Sequence, residues 1–504
     1  MSLSIGPFPD AGANPQESAR QWINLIGTAN LAGGKLLPAS GALSVLNPAT
    51  LETLGLAAAS DAGDVACAVE AAHAARGQWA HTPARERGRL IAEAGRLIRE
   101  HAETLSVLLA METGKALRTE CRGELSVASD LAIFYGGLGS ELKGQTIPFD
   151  PAVLAVTMRE PLGVVAAILP WNVPLVLMML KIAPALVAGN TVVVKASEEA
   201  PFATIAACLL MNSLLPPGVV NVVCGTGTAC GAALCDHEHV AKITFTGSEA
   251  AGELVYQAGA RRIIPVSLEL GGKSPMIVCD DADVEKAVKG AVNGMRFTRQ
   301  GQSCTAASRI YVHNTIFTRF VEDLKLSLDR LVIGDPLNEA VDIGTVISEK
   351  QIATISRYVE IAEATEGVEI IRCSHLPTAR HLSPKLFMQP TLVIDPPPNS
   401  PLVQEEIFGP VTCIIPWTDY EQVIEAANST HYGLAATVWT NSLAIALDAT
   451  RRINAGYVQV NQNLTIQPNL SYGGFGRSGL GREASLEAMV EHFTRSKTIA
   501  ISMS

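Results

Sequence analysis

From residue 164 onward, short runs of β-branched residues alternate with longer stretches whose apolar residues recur at helical spacing. Strands that alternate with helices in this way are typical of βαβ units, which build a parallel sheet buried on both faces. A sheet of this kind binds its ligands beyond the carboxyl ends of its strands. The predicted strands are VVAAI (164–168), TVVVK (191–195), VVNVV (219–223) and KITFT (242–246).

A second alternation of helices and strands begins near residue 274 and predicts a second α/β unit. Residues 61–115 follow a helical pattern, in which Asp61 or Asp64 caps one helix and Pro83 takes the first position of the next. The chain ends in RSKTIAISMS, a predicted strand that needs a partner, and another subunit is one option. The strands predicted in the second unit are RIYVH (309–313), VTCIIP (411–416), AATVWT (435–440) and GYVQV (456–460).

Composition narrows the class of protein. A chain of 504 residues is too long for one hydrophobic core, so we expect two or three domains. The formal net charge is −11 and no basic run occurs, which argues against nucleic acid and anionic membrane as partners. The most apolar stretch (161–189) is interrupted by Pro170, Asn172, Pro174 and Lys181, so we do not expect a membrane helix there.

The N-terminal segment has no positively charged flank and no apolar core, so we expect no signal peptide. The ten cysteines form no CxxC pair and no Cys/His cluster at zinc-finger spacing, so we expect no metal site. Thiols without a secretion signal are typical of a reducing compartment, and we expect a cytoplasmic protein.

Cys304 differs from the other cysteines because it lies in a polar, glycine-containing segment, RQGQSCTAASR (299–309). A thiol is a useful nucleophile only as the thiolate, and Arg299 or Arg309 would lower its pKa if one of them lies near. The segment therefore predicts a catalytic cysteine, although a loop cysteine without a role fits the local sequence equally well.

Two further segments carry candidate catalytic groups. Glu269 ends a strand-like run before a Gly-Gly pair, and burial there would give it the pKa of a general base. Asn172 precedes a proline-bounded helix start, where its amide is placed to donate to an oxyanion. Each has a simpler interpretation: a solvated glutamate beside a turn, and a helix N-cap, for which Asn is well suited.

Polar residues and glycines follow the predicted strands. Lys195 and Glu198 come just after the strand at 191–195, where an acid can bind the 2′-OH of an adenosine ribose and repel a 2′-phosphate. A solvated Lys–Glu pair is the alternative. The loops GTGTACG (225–231) and FTGS (245–248) each end a strand and open a helix, which suits a pyrophosphate but also an ordinary turn.

Taken together, these segments resemble the aldehyde dehydrogenase superfamily, whose motifs they match in order and spacing over most of the chain. The resemblance implies an α/β subunit with an NAD-binding domain on a parallel sheet (15–140 and 162–273) and an α/β catalytic domain (274–475). It also implies a small β oligomerisation domain (141–161 and 488–504) and a homodimer or homotetramer. The matching segments are PWN (170–172), VVVKASE (192–198), FTGS (245–248), ELGGKSP (269–275), GQSC (301–304), EEIFGPV (405–411) and YGGFGRSGLGRE (472–483).

The same resemblance implies roles for the candidate residues in oxidising a small-molecule aldehyde to an acid. Cys304 matches the nucleophile, which forms a thiohemiacetal and then a thioester. Asn172 matches the oxyanion donor, and Glu269 matches the base that activates water for hydrolysis of the thioester. Glu483 matches an acid sometimes implicated as a second base or proton relay.

The resemblance further implies NAD as the cofactor, with NADP possible. The matching cofactor contacts are Trp171, Lys195, Glu198, Gly227, Gly247, Ser248, Leu270, Glu406 and Phe408. The residues expected around the substrate are Val173, Leu177, Leu180, Ser303, Thr305 and Tyr472.

The chain departs from the family pattern at several positions. Arg299 stands where an asparagine is common, and it either steers an acidic aldehyde or pairs with a carboxylate. Tyr472 replaces the phenylalanine of the family's PFGG segment and comes near the expected substrate pocket. Val173, Leu177 and Leu180 match positions that are often aromatic, so we expect a mostly aliphatic tunnel that favours medium-chain or aryl aldehydes over acetaldehyde.

Other functions remain compatible with the sequence. One is a CoA-acylating or esterase variant of the same fold, although Glu269 argues against a CoA-acylating enzyme. Another is a catalytically silent scaffold or nucleotide-binding protein, against which the joint presence of Cys304, Glu269 and Asn172 argues.

Overall fold

The computed structural model describes residues 8–9, 14–463 and 466–503. Most of the N-terminal segment that we judged not to be a signal peptide lies outside the described residues, as does Ser504 of the predicted terminal strand. In the described part of the chain, no helix combines the length and the apolar character needed to cross a membrane.

The N-terminal third supplies helices and short antiparallel strands. Asp61 caps α2 by accepting hydrogen bonds from the N–H groups of Gly63 and Asp64, which makes one of the two predicted caps the actual one. Pro83 is the N-cap of α3 and not its first helical residue. The elements are α1 (Pro15–Ile26), β1 (Ala29–Ala32), β2 (Lys35–Pro38), β3 (Ala42–Leu46), β4 (Thr53–Ala58), α2 (Ala62–His81), α3 (Ala84–Glu100), α4 (Ala102–Thr113), a π-helical turn (Leu117–Cys121), α5 (Arg122–Gly137), β5 (Thr146–Asp150) and β6 (Val153–Pro161).

The first predicted alternation of strands and helices is confirmed. The strands at 164–168, 191–195, 219–223 and 242–246 all form, with ends that shift by two residues or fewer. The elements are β7 (Val164–Ile168), α6 (Pro174–Val187), β8 (Thr191–Ala196), α7 (Phe202–Asn212), β9 (Val220–Cys224), α8 (Ala232–Asp236), β10 (Val240–Thr246), α9 (Glu249–Arg262) and β11 (Val266–Glu269).

The second alternation is confirmed as well, and it ends in the long C-terminal strand. Its elements are β12 (Pro275–Val278), α10 (Val284–Gly294), β13 (Arg309–His313), α11 (Phe317–Asp329), α12 (Glu349–Ala364), β14 (Glu369–Arg372), β15 (Thr391–Ile394), α13 (Pro401–Gln404), β16 (Val411–Trp417), α14 (Tyr420–Ala427), β17 (Tyr432–Gly433), β18 (Ala435–Trp439), α15 (Leu443–Arg452), β19 (Tyr457–Val460), β20 (Phe475–Gly476), β21 (Gly479–Leu480), α16 (Leu486–Phe493) and β22 (Thr494–Ser502).

Two large sheets follow from these elements. The first has the order β2-β1-β9-β8-β7-β10-β11-β21. Its five central strands are parallel, and β7, β8 and β9 are buried along their whole length. The antiparallel edge strands β1, β2 and β21 are too short for the hydrophobic pattern to predict. The second sheet has the order β14-β15-β16-β13-β12-β18-β19 and is parallel except for β14.

The C-terminal strand β22 finds its partner in its own chain. It pairs antiparallel with β6, from Thr494 opposite Pro161 to Ser502 opposite Val153, and β5 adds the third strand of this sheet. A partner subunit is therefore not needed for the pairing of β22 with its first neighbour. The strands of this small sheet, at 146–150, 153–161 and 494–502, lie within the two segments that we expected to form an oligomerisation domain.

Candidate active site

The Cys304 loop connects α10 to β13 and is held in place by more distant parts of the chain. The side-chain oxygen of Gln302 accepts a hydrogen bond from the N–H of Ile347 at 3.0 Å. Gly301 has a φ of +63°, and a Cβ at this position would overlap the carbonyl oxygen of Gly409, so the loop needs glycine here. The segment is therefore a packed turn and not a free surface loop.

Cys304 lies in this loop with its side chain partly exposed. Its sulfur is 3.4 Å from the hydroxyl oxygen of Tyr472. Burial raises the pKa of the thiol to about 11, while the hydrogen bond with Tyr472 and the positive charge of Arg299 act in the opposite direction. Arg309 was the other candidate for lowering this pKa, but its guanidinium donates to the carbonyl oxygen of Lys273 at 2.8 Å and to other backbone oxygens.

Asn172 lies between β7 and α6 and is buried. Val173 is the N-cap of α6, so the simpler interpretation of Asn172 as a helix cap is wrong. The side-chain amide of Asn172 donates to the carbonyl oxygen of Gln302 at 3.1 Å, two residues before the nucleophile candidate. Asn172 and Cys304 line the same cavity.

A buried lysine that the sequence did not single out supports Asn172. The Nζ of Lys115 donates to the carbonyl oxygen of Asn172 at 2.8 Å and is paired with the carboxylate of Glu124. Glu124 also accepts a hydrogen bond from the N–H of Leu175 at 2.9 Å, in the first turn of α6. This network fixes the turn that carries Asn172, and no local signal could have revealed it because its members lie far apart in the sequence.

Glu269 is the last residue of β11, and only 4% of its surface is exposed. The interpretation of Glu269 as a solvated glutamate is therefore wrong. Burial raises the pKa of its carboxyl group well above the ordinary value, and the nearby Glu483 raises it further, while Lys181 and Arg482 oppose the shift. Its Oε2 has no hydrogen-bond partner among the described residues.

Glu483 lies beside this carboxylate, although it is far away in the sequence. Its Oε1 accepts a hydrogen bond from the Nζ of Lys181 at 2.6 Å, and both side chains are buried. Its backbone exchanges two hydrogen bonds with that of Tyr472, at 2.9 and 2.7 Å. The chain thus brings Cys304, Tyr472, Glu269 and Glu483 into one region.

A first group of expected cofactor contacts lies at or just after the carboxyl ends of β8, β9 and β10. The Nζ of Lys195 is 2.6 Å from a carboxylate oxygen of Glu198, and Lys195 is buried, unlike a lysine of a solvated pair. Ser248 is the N-cap of α9. The N–H of the preceding Gly247 donates a hydrogen bond to the carbonyl oxygen of Glu269, the last residue of β11, at 3.1 Å. Gly227 begins a π-helical turn (Gly227–Gly231) after β9.

A second group of expected cofactor contacts comes from three separate segments. The rings of Trp171 and Phe408 meet edge to face, with centroids 5.5 Å apart. A carboxylate oxygen of Glu406 accepts a hydrogen bond from the N–H of Gly272 at 3.0 Å, and burial raises the pKa of Glu406 to about 7. Leu270 is buried between β11 and α9.

Gln351 is a functional candidate that lies outside the sequence motifs and was therefore not predicted. Its side-chain amide donates to the carbonyl oxygens of Ile407 and Phe408, at 3.3 and 3.0 Å. Phe408 has a φ of +54°, which is strained for a residue with a Cβ. Gln351 therefore holds the loop that presents the Phe408 ring.

The cavity next to Cys304 has a volume of about 230 Å³. Five of the six expected substrate residues line it: Val173, Leu177, Ser303, Thr305 and Tyr472. Leu180 does not, since one further turn of α6 takes it into the core, where it is fully buried. The lining residues that the sequence did not predict include Glu120, Glu124, Val127, Val176, Arg296, Tyr457 and Gln459, and Arg299 lines the cavity as well.

The cavity lining contains charged residues that we did not expect in an aliphatic tunnel, next to the apolar side chains of Val127, Val173, Val176 and Leu177. Arg299 pairs with Glu120 at 2.5 Å, and the hydroxyl of Thr298 also donates to Glu120. The second of the two expectations for Arg299, pairing with a carboxylate, is thus the one that the structure bears out. Within the described residues, no group of His, Cys, Asp and Glu side chains is arranged to hold a metal ion.

Comparison with known proteins agrees with this geometry. The model of the "Aldehyde dehydrogenase family" matches residues 37–499 of the chain. The chain belongs to this family. It is 38% identical to phenylacetaldehyde dehydrogenase of Pseudomonas fluorescens over 483 residues, which cover 94% of this chain and 95% of that protein.

Solved structures of other aldehyde dehydrogenases share the fold. A putative aldehyde dehydrogenase from Burkholderia cenocepacia has a TM-score of 0.92 and 35% identity, covering 95% of this chain and 98% of its own. The NAD⁺ complex of an aldehyde dehydrogenase from Bacillus cereus has a TM-score of 0.92 and 33% identity, covering 98% of this chain and 99% of its own. The likeness thus extends over nearly the whole aldehyde dehydrogenase chain.

Proposed function

We propose that this aldehyde dehydrogenase oxidises an aldehyde to the carboxylic acid, with NAD as the hydride acceptor, through a covalent adduct on Cys304. The observation that carries the proposal is the meeting of a partly exposed thiol and a buried side-chain amide at one cavity, with a buried carboxylate close by. These are the groups that acyl formation and hydrolysis require.

In the first half of the reaction, the Cys304 thiolate attacks the carbonyl carbon and a C–S bond forms. The negative charge moves to the carbonyl oxygen, which accepts hydrogen bonds from the Asn172 amide and the backbone N–H of Cys304. When the alkoxide collapses, the C–H bond breaks and hydride leaves. When bound, NAD supplies the nicotinamide ring that accepts this hydride.

In the second half, Glu269 removes a proton from a water molecule that attacks the thioester, and the C–S bond breaks to release the acid. Because burial and Glu483 raise its pKa, a larger fraction of Glu269 becomes the active carboxylate as pH rises. Hydrolysis should therefore accelerate with pH. We assign Glu483, held by Lys181, to the onward transfer of the proton.

The residues at the carboxyl edge of the first sheet fit a dinucleotide. The N-terminus of α9 with Ser248 suits the pyrophosphate, and Lys195 with Glu198 suits the adenosine ribose. Trp171, Glu406 and Phe408 would hold the nicotinamide half, and Gly227, Gly247 and Leu270 shape the surrounding backbone and wall. Glu198 favours NAD, and NADP remains usable with a higher KM.

We infer the domain roles and the assembly from the same features. Residues 15–140 and 162–273 form the NAD-binding domain, and residues 274–475 form the catalytic domain. Residues 141–161 and 488–504 form the oligomerisation domain of a homodimer or homotetramer. All ten cysteines are free thiols, which suits a reducing compartment, and we assign the protein to the cytoplasm.

We propose a medium-chain or aryl aldehyde as the substrate. Val127, Val173, Val176 and Leu177 form an apolar wall, and the Glu120–Arg299 pair neutralises its own charge. A cavity of about 230 Å³ has room for more than a two-carbon aldehyde. The relative from Pseudomonas fluorescens named phenylacetaldehyde dehydrogenase supports the aryl choice.

The test is an assay of NADH formation, without CoA, over aliphatic, aromatic, amino and semialdehyde substrates. We expect medium-chain or aryl aldehydes to give the highest kcat/KM and Cys304→Ala to abolish turnover. Cys67→Ala is the matched control, because Cys67 is exposed and lies far from Cys304 in the sequence, on α2. A requirement for CoA, or undiminished turnover in Cys304→Ala, would overturn the proposed function, and acetaldehyde as the best substrate would overturn the substrate class.

A further inference from the structure

The Tyr472 hydroxyl is positioned rigidly against the reactive sulfur. The oxygen lies 3.4 Å from the sulfur of Cys304, and 2% of the tyrosine surface is exposed. Its backbone N–H and C=O groups form two hydrogen bonds with the backbone of Glu483, at 2.9 and 2.7 Å. Its ring packs edge-on against Tyr457, with centroids 5.9 Å apart. The contact with sulfur therefore does not depend on a mobile side chain.

Apart from the positive charge of Arg299, the remaining surroundings of the sulfur oppose its ionisation. Burial and the carboxylates of Glu406 and Glu269 raise the pKa of the Cys304 thiol. The neighbouring hydroxyls of Ser303 and Thr305 are bonded to each other at 3.2 Å. Among the described residues, the Tyr472 hydroxyl is the side-chain group that makes a hydrogen bond with this sulfur.

We propose that Tyr472 is a further catalytic residue, whose hydroxyl donates a hydrogen bond to the Cys304 thiolate in the free enzyme and enlarges the reactive fraction. A thiolate has no proton, so in that state the hydroxyl is the donor. A phenylalanine ring at this position would fill the same space and donate nothing. The inference rests on the proposed role of Cys304 as nucleophile and adds a residue to it.

The proton and the electrons balance in a simple way. The thiol releases its proton to solvent. The tyrosine hydroxyl stays protonated and donates a hydrogen bond to the sulfur. When a sulfur lone pair forms the C–S bond, the negative charge passes to the carbonyl oxygen. The tyrosine then loses its charged acceptor, so it stabilises the resting thiolate more than the adduct.

Stabilising a thiolate also makes it a weaker nucleophile, and the two effects have to be compared. Below its pKa, a thiol gains about tenfold in thiolate fraction for each unit by which the pKa falls. The intrinsic reactivity falls by only about threefold per unit, for a Brønsted coefficient of ~0.4–0.5. The net gain near neutral pH is therefore about threefold per unit.

Tyr472→Phe tests the proposal by removing one oxygen atom. The rate of Cys304 alkylation by iodoacetamide is followed across neutral and alkaline pH by peptide mass spectrometry, which separates Cys304 from the exposed Cys67. We expect alkylation of the variant to be about threefold slower near neutral pH, as for a pKa shift of about one unit. The difference should close as the pH rises and reverse above the pKa of the thiol, because the less stabilised thiolate is the stronger nucleophile. The value of kcat/KM should fall with the same pH dependence.

Tyr457→Phe is the matched control, because this tyrosine lines the same cavity and packs on Tyr472. The pH dependence of Cys304 alkylation in Tyr457→Phe should equal that of the parent protein. Equal or faster alkylation of Tyr472→Phe near neutral pH, or a loss that is constant over the whole pH range, would overturn the inference and leave the proposed function intact. Failure of the proposed function would appear separately, as turnover that survives Cys304→Ala.

Discussion

At the scale of single residues, the Glu120–Arg299 pair shows how a neighbouring positive charge keeps a buried carboxyl group ionised. Both side chains are mostly buried, at 7% and 12% exposure. Burial alone would raise the pKa of Glu120, but the Arg299 guanidinium and the Thr298 hydroxyl hold it below the ordinary value. Glu120 is therefore a buried carboxylate whose negative charge is stabilised by the guanidinium of Arg299.

We expect Arg299→Asn to destabilise the protein by about 3–5 kcal/mol, because it leaves a buried carboxylate unpaired. The double variant Glu120→Gln/Arg299→Asn should recover most of this loss, since the introduced glutamine side chain still accepts a hydrogen bond from Thr298 without carrying a charge. Urea unfolding of the parent, the single and the double variants measures the difference. A single variant as stable as the parent would show that the pair does not stabilise the fold.

Cys304, Glu269 and Asn172 were identified because their segments match the motifs of the aldehyde dehydrogenase family in order and spacing. The local sequence of each also fitted a simpler interpretation. Their surroundings could not be predicted in the same way. The burial of Glu269 and the contact between Tyr472 and Cys304 depend on β11 and on the segment after residue 472, which the chain brings to the Cys304 loop from far away.

At the scale of elements, the hydrophobic pattern predicted the central strands well and the edges poorly. Strands β7, β8 and β9 are buried on both faces, so each appears in the sequence as a continuous apolar run. The edge strand β21 has two residues and pairs with β11, from which it is far away in the sequence. A strand this short carries too few side chains to form a pattern.

The end of β8 carries a prediction about cofactor choice. Glu198→Gln removes the charge that repels a 2′-phosphate, so the KM for NADP should fall about five- to tenfold, as for a repulsion of ~1 kcal/mol at a partly exposed site. Steady-state kinetics with NADP and NAD at fixed aldehyde measure it. Glu199→Gln is the control, because it removes the neighbouring charge, and an equal effect there would contradict a specific role of Glu198.

At the scale of the whole molecule, the three-stranded sheet leaves an apolar face open. Leu154 lies opposite Ile501 and Val156 lies opposite Ile499, so the four side chains share one face of β6 and β22. Met158 continues this face, and the exposed fractions of Leu154, Met158 and Ile501 are 41%, 51% and 48%. Exposed apolar residues in one patch favour burial against another subunit.

We therefore expect Leu154→Asp/Ile501→Asp to shift the protein to a smaller species, because two charges would be desolvated at the interface. Size-exclusion chromatography with light scattering measures the mass. Ser496→Asp is the control, since Ser496 points to the other face of the same strand. An unchanged mass in the double variant would place the subunit interface elsewhere.

The sequence by itself predicted the two alternations of strands and helices and, through the motifs that match the aldehyde dehydrogenase family, the candidate nucleophile, base and oxyanion donor. Both are local: a periodic pattern spans a few residues, and a side chain carries its functional group wherever it lies. Only the tertiary structure decided that Lys115 supports Asn172, that Glu483 lies beside Glu269 and that β22 pairs with β6. Burial, pKa and hydrogen bonding between distant segments depend on how the chain packs, and no local pattern encodes that packing.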